Sequence, residues 1–294
     1  VGNQAEMMYE KPNKDIRVVR PLRHGVIADV DACEQMMRGL IGMVDTGRRL
    51  FSPSLKMVIG VPSGSTEVEL RAVRDSAEHA GGREVYMLFE PMAAAIGIGI
   101  DVLAPEGNMI VDIGGGTTEI AVISLGGLVS NNSVKVAGDD FTADIQEYMG
   151  RQHNVKVSER MAERIKINVG AALTELGDEA PEDYIVNGPN KITALPMSIP
   201  VCYQEIAHCL DRSIAKIESA VLNALENTPP ELYADILKNG VYLSGGGSML
   251  RGISKRLADK IGIEFHVASE PLLSVAKGTG VALKNVDRFS FLMR

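Results

Sequence analysis

The sequence predicts an α/β protein in two lobes, and three observations carry that prediction. Residues 56–100 alternate strand, helix, strand, helix; residues 108–137 read as consecutive strands joined by turns; and two glycine clusters, Gly114 to Gly116 and Gly245 to Gly247, each follow an apolar run. The chain has 294 residues with 30 glycines and only 4% aromatic residues, enough for one large core or two medium ones and suited to mixed α/β structure.

Each element has a local reason. The run KMVIGVP over 56–62 is continuously apolar and reads as a buried strand. Thr66 and Glu69 then form the T-x-x-E pattern of a capping box, which starts a helix over 66–80 with Leu70, Val73 and Ala77 on one face. Residues 84–89 read as a second strand, Pro91 suits the first turn of a helix, and the small residues that follow continue it to about 100. This alternation predicts a sheet covered by helices, with functional loops beyond the strand ends. A second unit begins at Asn108: a strand over 108–113, the turn GGGTT, a strand over 119–125, then a hairpin and third strand over 126–138, all antiparallel. Helices follow near 139–153 and 158–172. A polar stretch with short strands near 184–195 reads as a small inserted subdomain. A long amphipathic helix over 201–227, a buried strand over 240–244 and a last helix near 274–286, crossing back to the first lobe, complete the chain.

Composition removes several classes. Lys and Arg are outnumbered 30 to 38 by Asp and Glu, giving a net charge of −8, which argues against a general nucleic-acid binder. Cys33, Cys202 and Cys209 have no metal-ligand spacing and fit a reducing, cytoplasmic compartment. No run approaches the ~18 apolar residues that span a bilayer, and no basic segment followed by an apolar one opens the chain as a signal peptide does. The opening VGNQAE reads as the interior of a longer protein, so an N-terminal truncation is expected.

The sharpest motif is Asp112-Ile113-Gly114-Gly115-Gly116-Thr117-Thr118 at the end of an apolar strand. Three glycines let backbone amides approach phosphate oxygens, and Asp112 is placed to hold a hydrated Mg²⁺ beside them. The same residues also suit an ordinary hairpin turn. The second cluster, Ser244-Gly245-Gly246-Gly247-Ser248, is either a tight strand-to-helix turn or a place where an anion or flat ring lies against the backbone. A ligand held between both clusters would occupy a cleft between lobes. Walker A, nucleophile-elbow and zinc-protease patterns are absent.

In order and spacing, EPMAAAIG, DIGGGTTE and LSGGGSMLRG resemble the superfamily of actins, sugar kinases and heat-shock chaperone ATPases. Within it RPLRHGVIAD, VIGVP, DIGGGTTEIAVISL, AERIK and TPPEL are similar to the MreB-type bacterial actins, over nearly the whole chain. The resemblance implies an actin-like ATPase fold: two RNase H-like lobes around a nucleotide cleft, with a small inserted subdomain in the second lobe. The lobes are then 1–100, a partial first lobe; 101–275, the second lobe with an insertion at about 140–200; and 276–294, a C-terminal helix returning to the first.

The resemblance also assigns roles. Gly114, Gly115, Gly116, Thr117 and Thr118 become the second phosphate loop, Asp112 its Mg²⁺-side carboxylate acting through water, Glu90 the residue that orients the attacking water, and Thr117 its partner. Without the resemblance, Glu90 reads as an acid favoured at a helix start. Glu163 and Lys166, one helical turn apart, are by themselves an ion pair; the resemblance places them on the nucleoside side of the cleft facing Gly245, Gly246 and Gly247, with Gly138 and Asp139 near the ribose. Leu50 and Phe51, beside Arg48 and Arg49, read either as a staple at a helix end or, by resemblance, as an apolar loop dipping into the inner membrane. Implied cofactors are ATP and Mg²⁺. Implied partners are further copies of the chain, the membrane surface and cell-wall elongation proteins, in a cytoplasmic filament at the inner face of the membrane that organises wall synthesis and rod shape. The family's first phosphate loop has no counterpart here, so hydrolysis by this chain is expected to be impaired; a non-hydrolysing scaffold, or a chaperone or kinase on the same fold, is the alternative.

Overall fold

The computed structural model describes residues 1–11, 13–44 and 55–294. The chain opens with a short helix, α1 (Asn3–Met8), which buries none of its residues. A two-strand hairpin, β1 (Leu22–Arg23) and β2 (Val26–Ile27), follows, and then α2 (Val30–Met43), started by the Asp29 carboxylate accepting from the Ala32 amide at 3.0 Å. The sequence reading singled out none of these three.

The expected strand-helix-strand-helix unit is present. β3 (Leu55–Val61) pairs in parallel with β4 (Gly82–Phe89), connected by α3 (Glu67–His79). The capping box forms as expected: Thr66 Oγ1 accepts from the Glu69 amide, and the Glu69 carboxylate accepts from the Thr66 amide at 2.7 Å. α4 (Glu90–Ile98) begins directly after β4, with Pro91 in its first turn and Gly99 at φ +97° closing it.

The second unit is built on a five-stranded sheet. β5 (Asn108–Ile113), β6 (Thr118–Ser124) and β7 (Gly127–Val134) run antiparallel; then α5 (Gly138–Gln152), α6 (Glu159–Val169), the antiparallel hairpin of β8 (Tyr184–Pro189) with β9 (Pro196–Val201), and α7 (Tyr203–Glu226) follow. α8 (Pro230–Asn239), β10 (Val241–Ser244), α9 (Ile253–Ile261), β11 (Phe265–Val267) and α10 (Ser274–Lys284) end the chain. β10 adds in parallel to β5 and β11 to β10, giving the order β11-β10-β5-β6-β7.

Strand alternation decides what each face of this sheet does. Met109, Val111, Ile113, Ile120 and Val122 point into a large core with α5, α6 and α7. Ile110 and Ile123 point the other way, into a second core with Ala93, Ala94 and Ala282 of α4 and α10. The residues that share that second face at the strand ends, Asp112 and Glu119, are therefore turned toward the β3–β4 unit.

α4 and α10 cross backbone to backbone. A methyl group on Gly97 would lie 1.9 Å from the Ser274 carbonyl oxygen, and one on Gly278 would lie 1.8 Å from that of Ala93. Glycine is required at both positions because no side chain fits between the helices. α10 also packs on β3.

Candidate functional site

The strand register brings two carboxylates side by side. Asp112 on β5 pairs with Glu119 on β6, and with Ser244 of β10 on its other flank. Both acids are buried. Like charges directly opposite on a sheet repel, so this pairing costs stability unless something compensates it. Glu119 has donors: the Ser63 amide at 2.9 Å, the Ser63 hydroxyl and the Ser133 hydroxyl. Ser63 follows β3, so Glu119 ties the two units together. Asp112 is less well served, and its Oδ1 is buried with no hydrogen-bond partner. Burial pushes the Asp112 carboxyl from its ordinary 3.8 up to about 6, with the Ser244 hydroxyl opposing and the charge of Glu119 adding to the rise.

Glu90 is the third member. The first residue of α4, it lies over Gly60 of β3, where an added methyl would come within 3.6 Å of its Cγ. Burial pushes its carboxyl from 4.5 up to about 8, and Asp112 and then Glu119 reinforce the shift. Glu90 thus lies within electrostatic reach of both Asp112 and Glu119. Glu119 was not among the residues that sequence singled out; a glutamate inside the otherwise apolar run EIAVI was the signal for it.

In the first glycine turn the carbonyls of Gly114 and Gly115 are engaged. The Gly138 amide donates to Gly114 O at 3.1 Å and the Asp139 amide to Gly115 O at 2.7 Å, which locks the start of α5 onto the turn. Gly114 N donates to Thr117 O at 2.9 Å. Among the described residues, the amides of Gly115, Gly116 and Thr117 donate to no backbone carbonyl. The turn of the β1–β2 hairpin covers one side: a methyl on Gly116 would lie 2.5 Å from His24 Cα, and one on Gly25 would lie 3.0 Å from Thr117 Cγ2. Thr117 itself is buried. Thr118 stands apart from the amides, its hydroxyl committed to the Val136 carbonyl at 2.7 Å.

The second glycine turn meets the first. A methyl on Gly245 would lie 2.3 Å from Ile113 O, and one on Gly247 would lie 2.2 Å from Ile113 Cγ2. Packing against the end of β5 therefore demands both glycines. Gly246 abuts Leu272, and Met249 and Leu272 expose large apolar surfaces beside the turn, which no sequence motif marked. Glu163 and Lys166 meet the start of α5: Lys166 Nζ donates to Gly138 O at 2.8 Å and Thr142 Oγ1 at 3.0 Å and pairs with Glu163 at 2.6 Å, while Thr142 donates to Glu163 at 2.6 Å. The Asp139 carboxylate is held by Arg20 at 2.9 Å. Leu50 and Phe51 lie outside the described residues.

Two glycine turns meeting at the end of a mixed sheet, with three acids on the face toward a second strand-helix-strand unit, define an actin-like ATPase fold. Comparison with known proteins gives the family. The MreB/Mbl protein family model matches residues 1–290. The Bacillus subtilis cell shape-determining protein Mbl is 42% identical over 288 residues, 98% of this chain and 85% of that protein. The Escherichia coli cell shape-determining protein MreB is 43% identical over 287 residues, 98% and 82% of the two chains. The crystal structure of MreB5 of Spiroplasma citri bound to ADP superposes with a TM-score of 0.89 at 33% identity, covering 98% of this chain and 86% of that one. The chain belongs to the MreB/Mbl family.

Proposed function

We propose that this chain binds an adenine nucleotide with Mg²⁺ between a lobe formed by 1–100 with 276–294 and a lobe formed by 101–275. It then assembles with further copies into a cytoplasmic, membrane-associated filament that organises cell-wall synthesis and cell shape. The observation that carries the nucleotide is the pairing of unengaged amides at Gly115, Gly116 and Thr117 with the orphaned, buried Oδ1 of Asp112. Amides aimed into a turn suit phosphate oxygens, and a carboxylate oxygen without a donor suits a cation. Asp112 would hold Mg²⁺ through water, as a hydrated ion beside the phosphates. When bound, the ion offsets the phosphate charge.

The chain's own residues supply the rest. Glu90 is fixed at the start of α4 and orients a water toward the terminal phosphorus, with Thr117 opposite. Attack forms the new P–O bond and breaks the bond to the bridging oxygen, leaving nucleoside diphosphate and inorganic phosphate. Gly246, with Met249 and Leu272, offers a flat apolar wall to the base; Glu163 and Lys166 flank the ribose. The ADP held by the similar Spiroplasma protein supports this reading, and the shape-determining relatives support the cellular role. Cell-wall elongation proteins are the expected partners at the membrane.

The test is equilibrium binding of a fluorescent ATP analogue with and without Mg²⁺, beside phosphate release and filament pelleting. Binding should weaken at least tenfold without Mg²⁺, and Asp112→Asn should abolish that dependence. Binding insensitive to both would overturn the reading. Assembly with nucleotide but without phosphate release would favour the scaffold alternative.

A further inference from the structure

The start of the chain lies across both units. At one end of α1 the Val1 side chain sits on α2, where a methyl at Gly39 would be 2.7 Å from Val1 Cγ2; α2 in turn packs on α3. At the other end, hydrogen bonds run to α6. The Tyr9 hydroxyl donates to Glu159 at 3.0 Å, the Glu10 carboxylate accepts from the amides of Glu159 and Arg160 at 3.1 and 3.0 Å, and Arg160 donates to Met7 O at 3.1 Å. Downstream, Arg20 forks between two helices, taking both oxygens of Asp139 on α5, at 2.9 and 3.0 Å, and Glu159 on α6. α1 buries none of its residues.

The placement of Glu159 gives this set its meaning. Residues 159, 163 and 166 are spaced i, i+4, i+7 and share one face of α6. That face carries Arg20 and Tyr9 at its beginning and the Glu163–Lys166 pair further along, and Lys166 closes on Gly138, the neighbour of Asp139. Arg20 therefore pins the starts of α5 and α6 to each other from the side of the first unit, at the two helices to which the nucleoside is assigned.

We infer that Tyr9, Glu10 and Arg20 form a polar clasp that positions α5 and α6 for the nucleoside and sets how fast bound nucleotide leaves. The clasp touches no ligand; it acts through Glu159 and Asp139. Ionic and hydrogen-bonded, it suits a contact that must release and reform. This inference rests on the nucleotide reading above.

The experiment is displacement of a fluorescent ATP analogue from the full chain, paired with amide hydrogen exchange of the nucleotide-free protein. Arg20→Gln should raise the dissociation rate about tenfold, within the usual range of coupling between sites, while association changes less than twofold. Tyr9→Phe, which removes one hydroxyl and leaves folding intact, should raise it about threefold. Arg20→Lys should fall between wild type and Arg20→Gln, since an ammonium lacks the fork that spans two carboxylates. Arg20→Gln with Glu159→Gln should raise the dissociation rate by less than the product of the two single changes, because both remove the Arg20–Glu159 contact. Without nucleotide, the amides of residues 138–142 and 159–163 should exchange faster in Arg20→Gln. Release and exchange both at wild-type rates in Arg20→Gln and Tyr9→Phe overturn the clasp and leave the nucleotide reading standing. Failure of the wild-type chain to bind overturns the nucleotide reading, with the exchange data still deciding whether the clasp exists.

Discussion

Glu90→Gln should make the nucleotide-free protein more stable, and the gain should depend on pH in one direction. The carboxyl is raised in the fold from 4.5 to about 8. Below pH 4.5 it is protonated folded and unfolded alike, and the site carries no penalty. As pH rises toward 8 the unfolded chain releases the proton that the folded chain retains, so stability falls across that window and levels off above it. At 1.36 kcal/mol for each pH unit, the ceiling is about 5 kcal/mol. Water entering the cleft and sharing of the proton with Asp112 reduce this to about 1–3 kcal/mol. Glutamine keeps the shape and removes the charge. Urea denaturation of both proteins at pH 5 and pH 8.5 should give curves that nearly coincide at the lower pH and separate at the higher, with Glu90→Gln the more stable. With Mg²⁺ and nucleotide present the separation should shrink, since a cation offsets the same repulsion. A difference that is equal at both pH values, or a variant less stable than wild type at pH 8.5, would refute the account of a buried Glu90 carboxyl held up by its surroundings.

Three further changes probe other parts of the chain. Gly278→Ala places a methyl 1.8 Å from Ala93 O and should lower Tm by roughly 3–10 °C; Gly280→Ala on the same helix, with nothing within 4 Å of the added methyl, is the control that should not. Arg256→Ala leaves Glu218 buried without the guanidinium now 2.6 Å away and should cost about 3 kcal/mol in chemical denaturation, most of it recovered when Glu218→Leu is added. Replacing Leu50 and Phe51 with serine should weaken pelleting with anionic vesicles and leave assembly in solution unchanged; equal vesicle binding would discard the membrane assignment.

Local signals carried the fold further than they carried the site. The box of Thr66 and Glu69, Pro91 at the start of α4 and the glycines after Asp112 each act within a few residues, and the helices and strands stand where those signals put them. α2 had such a signal in Asp29, although nothing in the apolar pattern drew attention to it. The site depends on register instead. Asp112 and Glu119 are seven residues apart in sequence but become neighbours only because β5 and β6 pair without a slip. Ser63, which holds Glu119, comes from another unit, 56 residues earlier. The partners of Arg20 lie 119 and 139 residues away. The glycines at 245 and 247 read either as a tight turn or as ligand-approach residues, and the contact with Ile113 that excludes a side chain there comes from a strand about 130 residues away in sequence.

The crossing of α4 and α10 has a mechanical consequence. Interlocked side chains resist swivelling, because each must leave its rotamer before the helices can turn. At Gly97 and Gly278 backbone abuts backbone instead, and Met92, Ala93, Ala94 and Ala282 close a core around the contact. The pair therefore acts as one stiff strut, and a methyl at either glycine would force the two helices apart.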